Sequence, residues 1–378
     1  MAERLFLHIG APKTGTSYLQ KMIWANRASL REQGVFLPPG SRRKQFDAVA
    51  DMRGGMWATD RSTASWDLLA ERVRSRPGTA LVSEELLCAT PPEKIEQLLE
   101  SVAPVPVHVI FAARDIGRQV PAEWQQALRS RSAMTYAQWL QLLREDPERS
   151  FWNVQDPVKV FERWGRALEP GNFHLLVVPA PGSPSRMLWD RFSGIVGLDP
   201  DRAQAPESRQ NESLGLVEAE LLRRFNARLG SRFPLRDPYI TVVRDHLMRP
   251  ALFGAPGARR IGVPEEYDDW LVERSAEMVR AVHELSGSVD VVGEPEELTA
   301  HVERATASPE DLTENELLEA ALDAMVRQME HIEATAQAAT EQQAERPAQG
   351  AEAGRSTGGP VGDPWWRRLS RRSGSRRR

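Results

Sequence analysis

Residues 12–17 read Pro-Lys-Thr-Gly-Thr-Ser, which sets one cation, three hydroxyls and a glycine within a single turn of chain. Such residues suit an oxyanion. Lysine supplies charge, the hydroxyls donate hydrogen bonds, and glycine lets the backbone approach closely. The apolar run Leu5–Ile9 just before them predicts a buried strand entering the turn. Leu19, Met22, Ile23 and Leu30 recur at helical spacing after it, so a helix begins near Thr16. A strand, a glycine turn and a helix start together expose backbone N–H groups and the positive end of a helix dipole, which is an anion site. Gly10 and Gly15 have the separation of G-x-x-x-x-G-K-[ST]. Nucleoside triphosphatases place lysine after the second glycine, to reach the β- and γ-phosphates. Here that position is Thr16 and the lysine is Lys13, which argues against a nucleotide kinase.

Two further stretches carry chemistry. Ser83-Glu84-Glu85 follows the apolar run Thr79–Ser83, and a carboxylate at the carboxyl end of a parallel strand can remove a proton from an acceptor hydroxyl. Both glutamates also fit a helix start, where acids favour the dipole. Arg114 and Asp115 follow the run Pro106–Ala112, placing a guanidinium at the end of another strand; a helix-start ion pair is the structural alternative. His8 and His108 fall inside strand patterns and fit core histidines better than bases.

These segments need a scaffold. Apolar runs at Leu5–Ile9, Thr79–Ser83, Pro106–Ala112, Phe173–Val178 and Val289–Val292 alternate with amphipathic patterns at Pro92–Val102, Arg118–Arg129 and Pro157–Leu168. That alternation predicts an α/β fold of three layers, with a central, mostly parallel sheet flanked by helices. From Ser213 the pattern is mainly helical, over 213–229, 237–249 and 264–285.

The loop resembles the 5′-phosphosulfate loop of sulfotransferases that use 3′-phosphoadenosine 5′-phosphosulfate (PAPS). That family's P-K-[ST]-G-[ST]-[ST] is matched at every position by Pro12, Lys13, Thr14, Gly15, Thr16 and Ser17. The segment Arg114, Asp115, Arg118, Gln119, Pro121, Trp124 and Gln125 is similar to the R-D-x-x-R-Q-x-P-x-x-W-Q of bacterial members. The order of segments over residues 1–293 agrees as well. The resemblance implies a P-loop-like fold and sulfuryl transfer from PAPS to a hydroxyl, or an amine, of a small molecule or glycan. Lys13 would stabilise the leaving oxygen. Glu85 would act as base, with Glu84 the alternative. Arg114 would hold the 3′-phosphate. It implies no metal. The family's serine eight residues after that arginine is Ala122 here, so Arg118 or Gln119 would have to compensate, and a relative that binds nucleotide without turnover stays open. An N-x-S segment looks similar to the family's late nucleotide loop and makes Arg209 and Asn211 weak candidates, although Asn211 and Ser213 equally fit N-caps. Trp57, Trp124, Trp139 and Trp152 are candidate acceptor-pocket walls or core.

The composition is that of a globular protein: 378 residues, 41% hydrophobic and 27% charged. The single cysteine, Cys88, excludes an intrachain disulfide. With no signal-like or spanning run of about 20 apolar residues, a cytoplasmic location is expected. The seven histidines show no paired ligand spacing. Net charge is −4, but unevenly placed. Residues 1–293 hold 38 basic and 37 acidic residues, whereas residues 294–346 hold 14 acids and three arginines. Leu318, Leu322, Met325, Met329 and Ile332 follow 4-3-4-3 spacing there, so 294–346 reads as an amphipathic helical extension able to pair in a homodimer. Residues 347–378 read as a disordered linker and a tail with two tryptophans and seven arginines, suited to an anionic surface.

Overall fold

The computed structural model describes residues 1–55, 64–205, 213–232, 239–285, 287–302 and 307–344. Six strands form one sheet: β1 (Arg4–Gly10), β2 (Val35–Phe36), β3 (Thr79–Ser83), β4 (Val107–Ala113), β5 (Phe173–Val177) and β6 (Asp290–Val292). Their order is β2-β3-β1-β4-β5-β6, and every pairing is parallel. Parallel strands carry helices on both faces, so their sequences run continuously apolar. β1 is buried at every position after Arg4. Leu5, Leu7 and Ile9 join Trp66, Leu69, Ile95, Leu98 and Trp164 in one layer. Phe6 joins Leu19, Met22, Ile23, Trp189 and Phe192 in the opposite layer.

A separate helical core lies beside the sheet. Helices Ile116–Arg129, Tyr136–Glu145, Leu216–Leu229 and Asp268–Leu285 contribute to it. Trp124, Trp139 and Trp152 are buried there, so these three candidates for acceptor-pocket walls are packing residues. Trp57 lies outside the described residues.

The topology fixes where a ligand can sit. From β1 the chain moves to β2 and β3 on one side, then crosses to β4 and β5 on the other. In open parallel sheets the crevice opens at the carboxyl ends of the strands where the order reverses. That point lies between the loops after β1 and β4, which carry Lys13 and Arg114.

Several elements differ from the sequence-based expectation. β2, two residues long, is too short to carry a strand pattern. Helices Arg27–Glu32, Arg42–Arg53 and Ser65–Ser75 fill the stretch between β1 and β3. The helix expected at 237–249 is a π-helix at Ile240–Leu252. Residues 294–344 do not form one helix. Short turns at Pro295–Leu298 and Pro309–Asp311 precede helix Glu314–Ala344. Nor does the change in composition near Gly293 mark the end of packing. Leu298 is buried in the first sheet layer, and Leu312, Leu317 and Ala324 are buried in the helical core. The first compact unit runs to Gln328 and a second begins at Met329. The linker and basic tail, 347–378, lie outside the described residues. Among the described residues no helix is long and apolar enough to cross a membrane.

Candidate functional site

The loop after β1 is held in an unusual conformation. Gly10, Lys13 and Gly15 all have positive φ, at +108°, +62° and +86°. Glycine adopts such angles freely, but a side chain at Lys13 costs on the order of 1 kcal/mol and persists only where neighbours enforce it. The neighbours are visible. Arg114 Nη1 donates to the Lys13 carbonyl at 3.0 Å. Gln119 Nε2 and Gln155 Nε2 both donate to the Pro12 carbonyl, at 2.9 and 3.2 Å. Thr14 Oγ1 donates to the Ala11 carbonyl at 2.6 Å. At Gly15 a Cβ would lie 2.7 Å from Leu188 Cδ2, the end of a side chain that can turn aside, so it is the positive φ that favours glycine there.

Helix Thr16–Ala25 starts at that glycine with no side-chain cap. The Tyr18 N–H donates to the Gly15 carbonyl at 2.9 Å, and the N–H groups ahead of it, with the helix dipole, are left for an anion at the loop. Thr14 and Thr16 are buried and Ser17 is exposed.

One lysine and three carboxylates gather around the loop. Lys13 Nζ donates to Gln126 Oε1 at 2.7 Å. Thr16 Oγ1 donates to Glu85 Oε2 at 2.8 Å, which ties Glu85, the first residue of turn Glu85–Ala89, directly to the loop. The carboxyl of Glu84 is buried; burial, and then the neighbouring Glu85, pushes its pKa up to about 7. The backbone N–H groups of Leu86 and Glu85 and the charge of Arg42 oppose that rise. Glu123 is half-buried, and burial pushes its pKa up to about 7 against the opposing charge of Lys13, with a smaller upward push from Glu85. Gln155 Nε2 donates to Glu123 Oε1 at 3.3 Å.

Glu123 and Gln126 escaped the reading of the sequence. Gln119, Glu123 and Gln126 stand at spacings of four and three in helix Ile116–Arg129, and such residues share one face. The signal was present in the spacing, but only the fold brings that face to the loop from β1. The helix itself starts where Asp115 caps it, its side chain accepting from the Arg118 N–H at 3.0 Å.

The other side of the same helix opens on a cleft of about 600 Å³. Arg114, Arg118, Ala122, Gln125, Arg260 and His301 are among its lining residues. Arg114 is half-buried, and burial followed by the charge of Arg118 lowers its pKa to about 10. Arg118 pairs with buried Asp115 and donates to the Pro179 carbonyl at 3.2 Å. Gln125 Oε1 accepts from the Leu214 N–H at 3.1 Å, so its amide NH₂ is a donor beside Ala122. Arg260 and His301 come from segments with no distinguishing motif.

Gln119 is buried beneath the loop rather than in the cleft lining. Arg209 and Asn211 lie outside the described residues. Ser213 is not a cap, because helix Leu216–Leu229 starts after Gly215. His8 is buried and bonded to Ser83 Oγ at 2.7 Å, and burial holds its pKa near 4. His108 Nδ1 lies 3.1 Å from His174 Nε2, toward the amino ends of β4 and β5. Among the described residues no three His, Cys, Asp or Glu groups are placed to hold a metal.

Comparison of the chain with family models, with curated proteins and with solved structures finds no match in any of the three.

Proposed function

We propose that the chain is a sulfotransferase that moves the sulfuryl group of PAPS to a hydroxyl, or an amine, of a small-molecule or glycan acceptor, on a P-loop-like three-layer fold. The observation that carries this reading is the bond between Arg114 and the Lys13 carbonyl. It joins the anion loop to an arginine-lined cleft large enough for a nucleotide. A donor with a 5′-phosphosulfate and a separate 3′-phosphate needs both ends. Residues 12–17 suit the first, and Arg114, Arg118 and Arg260 suit the second. Gln125 supplies a donor near the position that Ala122 leaves apolar.

The chemistry follows from the charges. The acceptor oxygen attacks sulfur, a new S–O bond forms, and the S–O bond to the phosphate bridge breaks. Negative charge grows on the departing bridging oxygen. Lys13, on a loop fixed by Arg114, Gln119 and Gln155, is a preorganised cation for that charge. The acceptor proton passes to a carboxylate. We assign this to Glu85, whose bond to Thr16 sets it against the loop. The products are a sulfate ester, adenosine 3′,5′-bisphosphate and a proton.

The test is transfer of ³⁵S from labelled PAPS into metabolite extracts. A labelled product formed by the wild type and absent with Lys13→Ala and Glu85→Gln is expected. Wild-type protein that binds PAPS yet labels nothing would overturn the catalytic reading.

A further inference from the structure

The sheet ends at β2, and a second cavity, of about 100 Å³, lies beside that edge. Four arginines line it. Arg27 and Arg31 stand one turn apart in helix Arg27–Glu32. Arg72 and Arg76 stand one turn apart at the end of helix Ser65–Ser75. Trp24 and Phe36 complete the walls. Arg72 Nη1 donates to the Pro39 carbonyl at 2.8 Å, and Arg76 lies over the Phe36 ring at 4.7 Å.

These contacts fix two guanidinium groups in place but neutralise none. Among the described residues no acidic side chain lines the cavity. None of the four arginines forms an ion pair with another described residue. The Trp24 indole N–H, shielded from solvent, has no acceptor among the described residues. The polar side chains of the cavity are thus all donors. All four arginines are exposed; like charges one helical turn apart are unfavourable by a few tenths of a kcal/mol, and here two such pairs line one cavity. A tetrahedral oxyanion relieves that repulsion and matches the guanidinium fork.

We propose that this cavity binds a sulfate or phosphate group, carried by a free inorganic anion or by a monoester. At about 100 Å³, against about 600 Å³ for the cleft, it has room for one such group and not for a whole nucleotide. The proposal is independent of the sulfotransferase reading.

Indole ¹H–¹⁵N NMR on the full chain tests it, with the Trp24 resonance assigned through Trp24→Phe. Sodium sulfate and glucose 6-phosphate are titrated separately at an ionic strength held constant with sodium chloride. A saturable displacement of the Trp24 signal is expected, weakened about tenfold or more by Arg31→Gln with Arg76→Gln. Tighter binding of the sugar ester assigns the site to monoesters, and saturation by sulfate alone assigns it to the free anion. No saturable displacement with either would overturn the proposal. So would displacement that survives the double substitution, or displacement lost instead in Lys13→Ala, which would place the anion at the loop.

Discussion

Two histidines and two glutamates in this molecule, His8 and Glu84 buried and His108 and Glu123 half-buried, are displaced in opposite senses by the same force. Burial favours the neutral form of each. For His8 and His108 that means pKa values near 4, so both are neutral under ordinary conditions. They sit within strands, against Ser83 and His174 respectively. For Glu84 and Glu123 it means values near 7, and both lie near Glu85 at the anion loop. A group that titrates near neutrality is matched to proton transfer, whereas one that titrates near 4 is not. The difference teaches that burial alone does not mark function. What matters is whether burial moves the group toward or away from working pH, and what it faces.

Substitution at the loop separates the two sets most sharply. Lys13→Ala is expected to lower turnover by about 10²–10³-fold through loss of a preorganised charge, with thermal stability retained. His108→Phe is expected to leave turnover nearly unchanged. A large loss of turnover on His108→Phe, read in the same transfer assay, would erase the distinction.

The second prediction concerns pH and activity. Because Glu84 and Glu123 both sit at about 7 beside Glu85, kcat/KM should change near pH 7; the change should shrink in Glu123→Gln, shrink further with Glu84→Gln added, and persist in His108→Phe. A pH–rate profile of each variant checks this.

Stability against pH follows from the same shifts. The histidine values lie below the usual 6.5, so the stability they contribute is lost as pH falls from 6.5 toward about 4. The glutamate values lie above the usual 4.5, so the stability those groups contribute is lost as pH rises from 4.5 toward about 7. Between pH 4.5 and 6.5 the two contributions oppose each other, so thermal melts of the wild type should change little there, whereas His108→Phe should expose a decline toward neutral pH and Glu84→Gln a decline toward acid pH.

The smallest effect is expected in the cleft. Ala122→Ser adds a hydroxyl where Arg114 and Gln125 already line the wall, and should tighten adenosine 3′,5′-bisphosphate by about 2–10-fold. Calorimetry measures it directly.

The loop and most of the sheet were legible in the sequence for a physical reason. Parallel strands buried on both faces are short apolar runs, and Leu5–Ile9, Thr79–Ser83 and Phe173–Val178 stand out for that reason. The loop stands out because lysine, hydroxyls and glycine are crowded between a strand and a helix. β2 is too short to carry a pattern. Glu123 looked like an ordinary helix-surface acid, because its neighbours Lys13 and Glu85 are distant in sequence and meet it only through the pairing of β1 with β3 and β4. Arg260 and His301 reach the cleft from segments without any motif. The acidic stretch after Gly293 stood out for its charge. Its charge and spacing read as an amphipathic helical extension, and within it Leu298, Leu312 and Leu317 are buried in the cores.

The central claim is that the loop and cleft together hold a 3′-phosphorylated adenosine nucleotide. Thermal-shift titration with adenosine 3′,5′-bisphosphate and, separately, Mg-ATP tests it on wild type, Lys13→Ala and Arg114→Ala. Saturable stabilisation of the wild type by the bisphosphate, weakened by about 10–100-fold in Arg114→Ala, is the predicted result. Stabilisation by Mg-ATP with no response to the bisphosphate would contradict it.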